Sequence, residues 1–398
     1  MKILVLNCGS SSVKYQVIDG ITEQVDVTGL VERIGEAQSR ITHKDATREV
    51  TKDCHAPHHE AAIQLMHEYL ESAGIGGEIR AIGHRVVHGG ERFISSVLID
   101  DEVEAAIQEC AALAPLHNPP NLVGIHAARK LFPGLAHVAV FDTAFHQTMP
   151  AVAWCYALPW EMYKKHGVRR YGFHGTSHRY VMQRAAQLLR IPVPEFTCIT
   201  LHLGNGCSAA AIQNGRSVDT SMGMTPLEGL VMGTRCGDID PAIHFHLAAR
   251  EGLSMQQLDE MMNKASGLKG ISGLSNDVRE LMRAASEGHE RARLALDVYA
   301  RRVRKYIGAY LAVLHRPQAI IFTGGVGERG AIMRRLISQG LDHLGLILDP
   351  ARNEALEGER DVSAPHSPLR IMVIPTREEM MIARETVEVA GLGEESKQ

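Results

Sequence analysis

No apolar run in this chain approaches the ~18 residues of a membrane span, and Ile3-Leu4-Val5-Leu6 is too short for a signal-peptide core. The sequence is therefore read as soluble and cytoplasmic, with no membrane partner. Neither sign of charge prevails: 42 Lys and Arg stand against 46 Asp and Glu, a net of −4. That balance argues against nucleic acid as a partner. The seven cysteines are odd in number and scattered, and none forms a C-x-x-C pair. A disulfide scaffold and a cysteine zinc site are thereby disfavoured, and buried reduced thiols are expected. No Gly-Lys dipeptide occurs, so a Walker A loop is excluded. Low-complexity, collagen-like and coiled-coil segments are absent as well.

What is present has ordinary globular proportions, 45% hydrophobic and 22% charged over 398 residues, a length that favours two domains. Two stretches share a plan. Residues 2–6 read as a strand, followed by the small-residue turn Asn7-Cys8-Gly9-Ser10-Ser11 and by a second strand with Val13, Tyr15 and Val17 on one face. Cys198–Leu203 reads as a strand, followed by Gly204-Asn205-Gly206, a further strand and the hairpin turn Asn214-Gly215. Later in each half comes another strand, 137–141 ending in Asp142-Thr143 and 319–322 ending in Thr323-Gly324-Gly325. Helical spacing predicts helices over 60–72, 102–113, 122–131, 177–189, 291–314 and 377–389. The order indicates an α/β protein of two related domains, with the crevice between them as the ligand site.

Four groups of residues point to anion chemistry. Asn7 to Lys14 offers backbone amides freed by small residues, three hydroxyls and a lysine; an ordinary hairpin turn is the alternative. Gly325-Val326-Gly327-Glu328-Arg329-Gly330 fits G-x-G-x-x-G before a short helix at 331–338. It reads better as a glycine turn against part of a nucleotide than as a dinucleotide fold. The segments at His84 to Gly90, Phe173 to His178 and Gly233 to Asp238 set arginine and imidazole beside glycine. Each has a plainer reading as a buried histidine or an arginine paired with a nearby acid. His174 and His178 are four residues apart but lack the glutamate of a zinc protease, and His55, His58 and His59 read as surface. Asp142 stands at a strand's C-terminal end, where α/β sheets place functional acids. Glu378 and Glu379 open a helix, a position that dipole complementarity alone would explain.

Together, NCGSSSVKY, HRVVHGG, APLHNPPN, VFDTAFHQ, YGFHGTSHRYV, LHLGNG, MGTRCGDIDP and FTGGVGER resemble the acetate kinase family of the acetate and sugar kinase/Hsp70/actin superfamily. The resemblance implies two similar βββαβαβα domains with the active site in their cleft. The domains would be 1–148 with 377–398, and a nucleotide-binding 149–376. It implies Asn7 and Glu378 as metal residues for Mg²⁺, or Mn²⁺ in its place. Lys14, His202, Leu203, Gly204, Asn205, Gly206, Asp277, Val278, Arg279 and Gly325, Val326, Gly327, Glu328, Arg329 would line the ATP/ADP site. Arg85 would bind the acetate carboxylate, with Val87, Leu116, Phe173 and Pro226 around the methyl group and His117 nearby. Asp142, His174 and Arg235 match the family's catalytic positions, and a homodimer is implied. Two positions depart from the family pattern: Arg329 stands where Asn is usual in Gly-Glu-Asn, and Arg377 where Asn is usual in Thr-Asn-Glu-Glu.

The implied reaction is ATP + acetate ⇌ ADP + acetyl phosphate. A carboxylate acceptor has a pKa near ~4.3 and is already ionised at neutral pH, so cations and metal do the work and no strong base is needed. Asp142 is thus expected to orient metal or polarise the site. Propionate or butyrate kinase and a diphosphate-using enzyme remain as alternatives. A sugar kinase would need a polar pocket, and a chaperone-like ATPase would need a further region.

Overall fold

Ile3, Leu4, Val5 and Leu6 are all buried, as a strand covered on both faces requires, and the first sheet is built outward from them. In the computed structural model, which describes residues 1–115, 117–355 and 358–393, the chain divides into two units. The first is Met1–Gln147 with Arg377–Gln398, the second Thr148–Thr376. The first unit contains strands β1 (Lys2–Cys8), β2 (Ser12–Asp19), β3 (Val25–Glu32), β4 (Ser39–Lys44), β5 (Glu49–Cys54), β6 (Ile79–Val86), β7 (Val97–Leu98) and β8 (Ala136–Phe141). They form one sheet in the order β5-β4-β3-β2-β1-β6-β8-β7. β1 is antiparallel to β2 and parallel to β6, which is parallel to β8.

The second unit repeats the plan with β9 (Cys198–Leu203), β10 (Cys207–Gln213), β11 (Arg216–Thr220), β12 (Ala319–Thr323), β13 (Arg360–Asp361) and β14 (Arg370–Val373), in the order β11-β10-β9-β12-β14-β13. The second unit opens with three antiparallel strands and the first with five, and in both the parallel strands that follow are joined through helices. These are His59–Ser72 and Asn118–Leu131 in the first unit, and Glu290–Val313 and Ala331–Ser338 in the second. In chain order each repeat ends in a helix, but that helix belongs to the other unit. Gly175–Leu189, after β8, packs on β9 and β12; Glu378–Val389, after β14, packs on β6, β1 and β8. Gly83 of β6 permits the latter contact, because a Cβ there would lie 2.3 Å from Thr386 Oγ1 and 2.7 Å from Ile382.

Three details differ from the sequence reading. The polar stretch around Glu49–Cys54, which shows little alternation of burial, is a sheet-edge strand. Gly324–Arg329 is a helical turn rather than a loop. His59 is not simply surface: it is half-buried and shares a 2.6 Å hydrogen bond with the Gly9 carbonyl, while the exposed His58 caps the helix behind it. All seven cysteines are free; four are buried, Cys54 and Cys236 are intermediate and Cys155 is exposed. No helix among the described residues is long and apolar enough to cross a membrane.

The first sheet also buries a histidine pair. His84 Nε2 and His137 Nδ1 lie 2.9 Å apart and share one hydrogen bond, so at least one ring must be neutral. Burial, with the neighbouring imidazole second, holds His84 well below its ordinary value, and burial brings His137 down to about 4. The unfolded chain, with histidines near ~6.5, binds more protons than the folded one between those limits. Stability is therefore complete above about pH 6.5 and falls as the pH drops toward 4. Denaturant midpoints measured across that window should decline with pH, and a His84→Asn, His137→Asn double variant should show a shallower slope. An unchanged slope would assign the dependence to other groups.

Candidate active site

Three parallel strands of the first unit end at one place, the C-terminal edge where α/β sheets bind ligands. Asn7 lies near the end of β1, Arg85 near the end of β6, and Asp142 just beyond β8. Lys14 is the cross-strand partner of Asn7, and the first turn of Glu378–Val389 supplies Glu378 and Glu379. The Arg85 guanidinium is a fork on Asp142, with Nε donating to Oδ1 at 3.0 Å and Nη2 to Oδ2, while Nη1 donates to Asn7 Oδ1 at 3.2 Å. Burial opposes the charge of Arg85, but Asp142 and then Glu378 raise its pKa above the ordinary value. Lys14 Nζ pairs with Glu379. Burial raises the Glu378 carboxyl, Arg85 and Lys14 pull it down, and the like charge of Glu379 adds to the rise.

Two asparagines not anticipated as contributors hold the backbone after Arg85. Asn121 Oδ1 accepts from Val87 N and its Nδ2 donates to Cys8 O. Asn118 Oδ1 accepts from His88 N and its Nδ2 returns a hydrogen bond to His88 O. Both are buried, and their i, i+3 spacing at the start of Asn118–Leu131 was the available signal. Val87 is buried, and His117 stands just ahead of that helix. Leu116 lies outside the described residues.

The second unit gathers imidazole and guanidinium around a glycine. A Cβ on Gly206 would lie 3.4 Å from His174 Cε1, 3.5 Å from its Nε2 and 3.6 Å from Arg235 Nη1. His174 has a left-handed backbone, φ 58°, a conformation that a non-glycine residue adopts at a cost. Its Nδ1 shares a 2.8 Å hydrogen bond with Ser208 Oγ, and its ring stacks on His202 with centroids 4.3 Å apart. His178 is fixed on Thr200 and Ser208 through its two ring nitrogens. Arg235 is different in kind: its Nη1 donates to Pro226 O and lies against Met232 Sδ, and it forms no ion pair among the described residues. Burial lowers its pKa, yet a guanidinium keeps its proton. It is a half-buried cation without a resident anion.

The remaining anticipated nucleotide residues are also in this unit. Asn205, in the β9–β10 turn, accepts from Asn276 Nδ2 through its side chain and from Gly233 N through its carbonyl. Asp277 caps Val278–Ser286 through Arg279 N, and the exposed Arg279 side chain folds back on it. In Gly324–Arg329, Gly325 and Arg329 are exposed, whereas Glu328 faces the chain itself: its Oε1 accepts from Gly324 N at 3.0 Å and Thr376 N at 3.1 Å. From behind, the fully buried Arg334 donates to the carbonyls of Gly327 and Glu328. Phe173 is buried and Pro226 half-buried. Among the described residues no cluster of three or more His, Cys, Asp or Glu side chains could hold a metal by itself.

The model of the acetokinase family matches residues 2–384. An acetate kinase of Dictyoglomus turgidum is 55% identical over 398 residues, 98% of each chain. The crystal structure of Porphyromonas gingivalis acetate kinase superposes with a TM-score of 0.93 at 46% identity, covering 98% of this chain and 99% of that one. A propionate kinase from Francisella tularensis gives the same TM-score and coverage at 44% identity.

Gly324 begins the glycine-rich turn at φ 73°, and a Cβ there would meet the Leu203 backbone at 2.7–2.9 Å. Gly325 has nothing within 4 Å. Gly324→Ala should therefore destabilise the protein by about 1–3 kcal/mol, and Gly325→Ala should be neutral or slightly stabilising. Chemical denaturation of the two variants checks the contrast.

Proposed function

The chain belongs to the acetokinase family, phosphotransferases with a carboxyl group as acceptor, and from that premise we propose that it catalyses ATP + acetate ⇌ ADP + acetyl phosphate. The observation that carries this reading is Arg235, half-buried, without a counter-ion among the described residues and beside His174 over Gly206. Such a site lacks one thing, an anion with oxygens to receive charged hydrogen bonds, and a transferring phosphoryl group supplies it.

The acceptor needs no base, because acetate is ionised at neutral pH. Arg85 binds its carboxylate, with Asp142 and Asn7 fixing the guanidinium. Val87, Leu116, Phe173 and Pro226 bound the methyl group, and His117 lies at the same subsite. One acetate oxygen forms a bond to the γ-phosphorus as the bond from that phosphorus to the ADP oxygen breaks. His174 and Arg235 stabilise the charge on the equatorial oxygens. Lys14, the 202–206 turn, residues 277–279 and 325–329 hold the nucleotide. Arg329 is exposed, so a long cation at the surface stands at the donor contact where the family pattern has a short amide.

Mg²⁺ fits the residues of the first unit. Asn7 and Glu378 offer hard oxygen donors, and Glu378 makes no hydrogen bond or ion pair among the described residues. One or two protein oxygens, completed by water and substrate phosphates, is how Mg²⁺ is commonly held. It would neutralise charge on the donor phosphates. We further read the protein as cytoplasmic and as a homodimer.

Propionate is the second acceptor to weigh, since a propionate kinase is so similar over the whole chain. Acetyl phosphate formation trapped as the hydroxamate, with ATP and with diphosphate as donor, tests the reading; no product from either would overturn it. Inversion at a chiral, isotope-labelled γ-phosphorus is expected, and net retention would replace direct transfer by a phospho-glutamate intermediate. Arg235→Ala should lower kcat at least ten- to a hundredfold, the value of a lost charge-assisted hydrogen bond, while Arg85→Ala should chiefly raise the acetate KM. Steady-state kinetics on the folded variants separates these effects. Val87→Ala should shift the acetate-to-propionate ratio of kcat/KM toward propionate by roughly ten- to two-hundredfold. A constant ratio would make Val87 a core residue only.

A further inference from the structure

The segment between β11 and Ala242–Glu251 has no regular secondary structure over 221–238, yet it carries both Pro226 and Arg235. Its position is set from outside, at two points. At the first, Arg170 Nη1 donates to the carbonyls of Thr220, Ser221 and Met222 at 3.0–3.3 Å, and Nη2 to Glu228 Oε1 at 2.6 Å. The other carboxylate oxygen, Glu228 Oε2, accepts from Tyr156 OH, which itself accepts from Met224 N. Gly223 closes the group: its carbonyl accepts from Tyr171 N and Gly172 N, and a Cβ on it would lie 1.8 Å from Glu228 Oε2. At the second point, Asp238 accepts from Gly229 N and Tyr306 OH, while Arg302 donates to Gly229 O and Asp238 O.

The first point matters more for chemistry. Arg170 lies three and four residues before Phe173 and His174, and Glu228 two residues after Pro226. One ion pair thus ties together the two segments that carry four of the proposed site residues. The Arg170 charge is secure: burial opposes it, but Glu228, with Tyr156 and Tyr310, outweighs that effect and raises its pKa. Burial and Glu228 raise Tyr156 as well, so its hydroxyl remains a donor. Nothing in this group reaches the 277–279 or 324–329 segments by any hydrogen bond described above.

We propose that Arg170, Glu228 and Tyr156 act as a clamp that positions the 221–238 loop and so sets both the discrimination among acyl acceptors and the placement of Arg235. They are positioning residues, and the proposal rests on the reading that Pro226 bounds the acyl group and Arg235 faces the phosphoryl group. Glu228→Ala leaves two half-buried donors, Arg170 and Tyr156, without their acceptor. Tyr156→Phe removes a single hydroxyl from a site that Phe fills. Glu228→Gln retains the shape and most of the hydrogen bonds.

The test measures kcat and KM for acetate, propionate and ATP, together with amide hydrogen exchange, in the wild type and the three variants. Tyr156→Phe is expected to lower kcat with acetate roughly five- to thirtyfold and to narrow the acetate-over-propionate preference, with the ATP KM within twofold of wild type. Glu228→Ala should do the same more strongly, and Glu228→Gln should recover most of the loss. Exchange should accelerate at 221–238 and stay unchanged at 324–329. A lowered melting temperature with wild-type kcat and acceptor ratio would overturn the proposal, leaving the clamp merely structural. An ATP KM that rises as much as the acetate KM would overturn it too. If the wild type forms no acyl phosphate, the functional reading fails; exchange then decides the clamp on its own, and unchanged exchange at 221–238 in Tyr156→Phe would sink it.

Discussion

A guanidinium cannot escape burial by giving up its proton, and this constraint organises both units. Removing a cation from water costs several kcal/mol unless something replaces the solvent. The chain answers in three ways. Arg85 is met by a carboxylate and an amide oxygen. Arg334, fully buried, is met by the carbonyls of Gly327, Glu328 and Asn353 and by the Asn353 side chain, without an acid. Arg235 is met by one carbonyl and a thioether. The supply of oxygen is graded across the three, and Arg235 receives the least of it.

The side chains proposed for function sit largely on connections, and those connections are braced by polar groups. Asn118 and Asn121 replace ladder hydrogen bonds for residues just past β6. Glu328 does so for the start of the glycine helix and for Thr376. Each brace satisfies buried backbone groups that would otherwise cost about 1–3 kcal/mol apiece.

Much of this was legible in the sequence. The two opening hairpins announced themselves through small residues between apolar runs, and the acid after β8 through its place at a strand's end. Glu49–Cys54 was not, because an edge strand with little buried surface carries no alternation to read. Ala242–Glu251 escaped for the same reason, having no buried residue. Gly324–Arg329 reads as a turn because three of its six residues are glycine, and the groups that make it helical, Glu328 with Thr376 and Arg334 from the next helix, act across the fold. Least legible was the state of Arg235. The acid three residues on, Asp238, suggested an ordinary pair, but its carboxylate is taken by Gly229 N and Tyr306 OH, with Arg302 alongside.

The exchange of terminal helices between the repeats bears on how the polypeptide is made. Synthesis proceeds from the amino terminus, so β1, β6 and β8 exist long before Glu378–Val389, the helix that packs against the Gly83 face of their sheet. The second unit already has Gly175–Leu189 ahead of its first strand. The half that is translated first is thus the half that must wait, with one apolar face uncovered until the last helix leaves the ribosome.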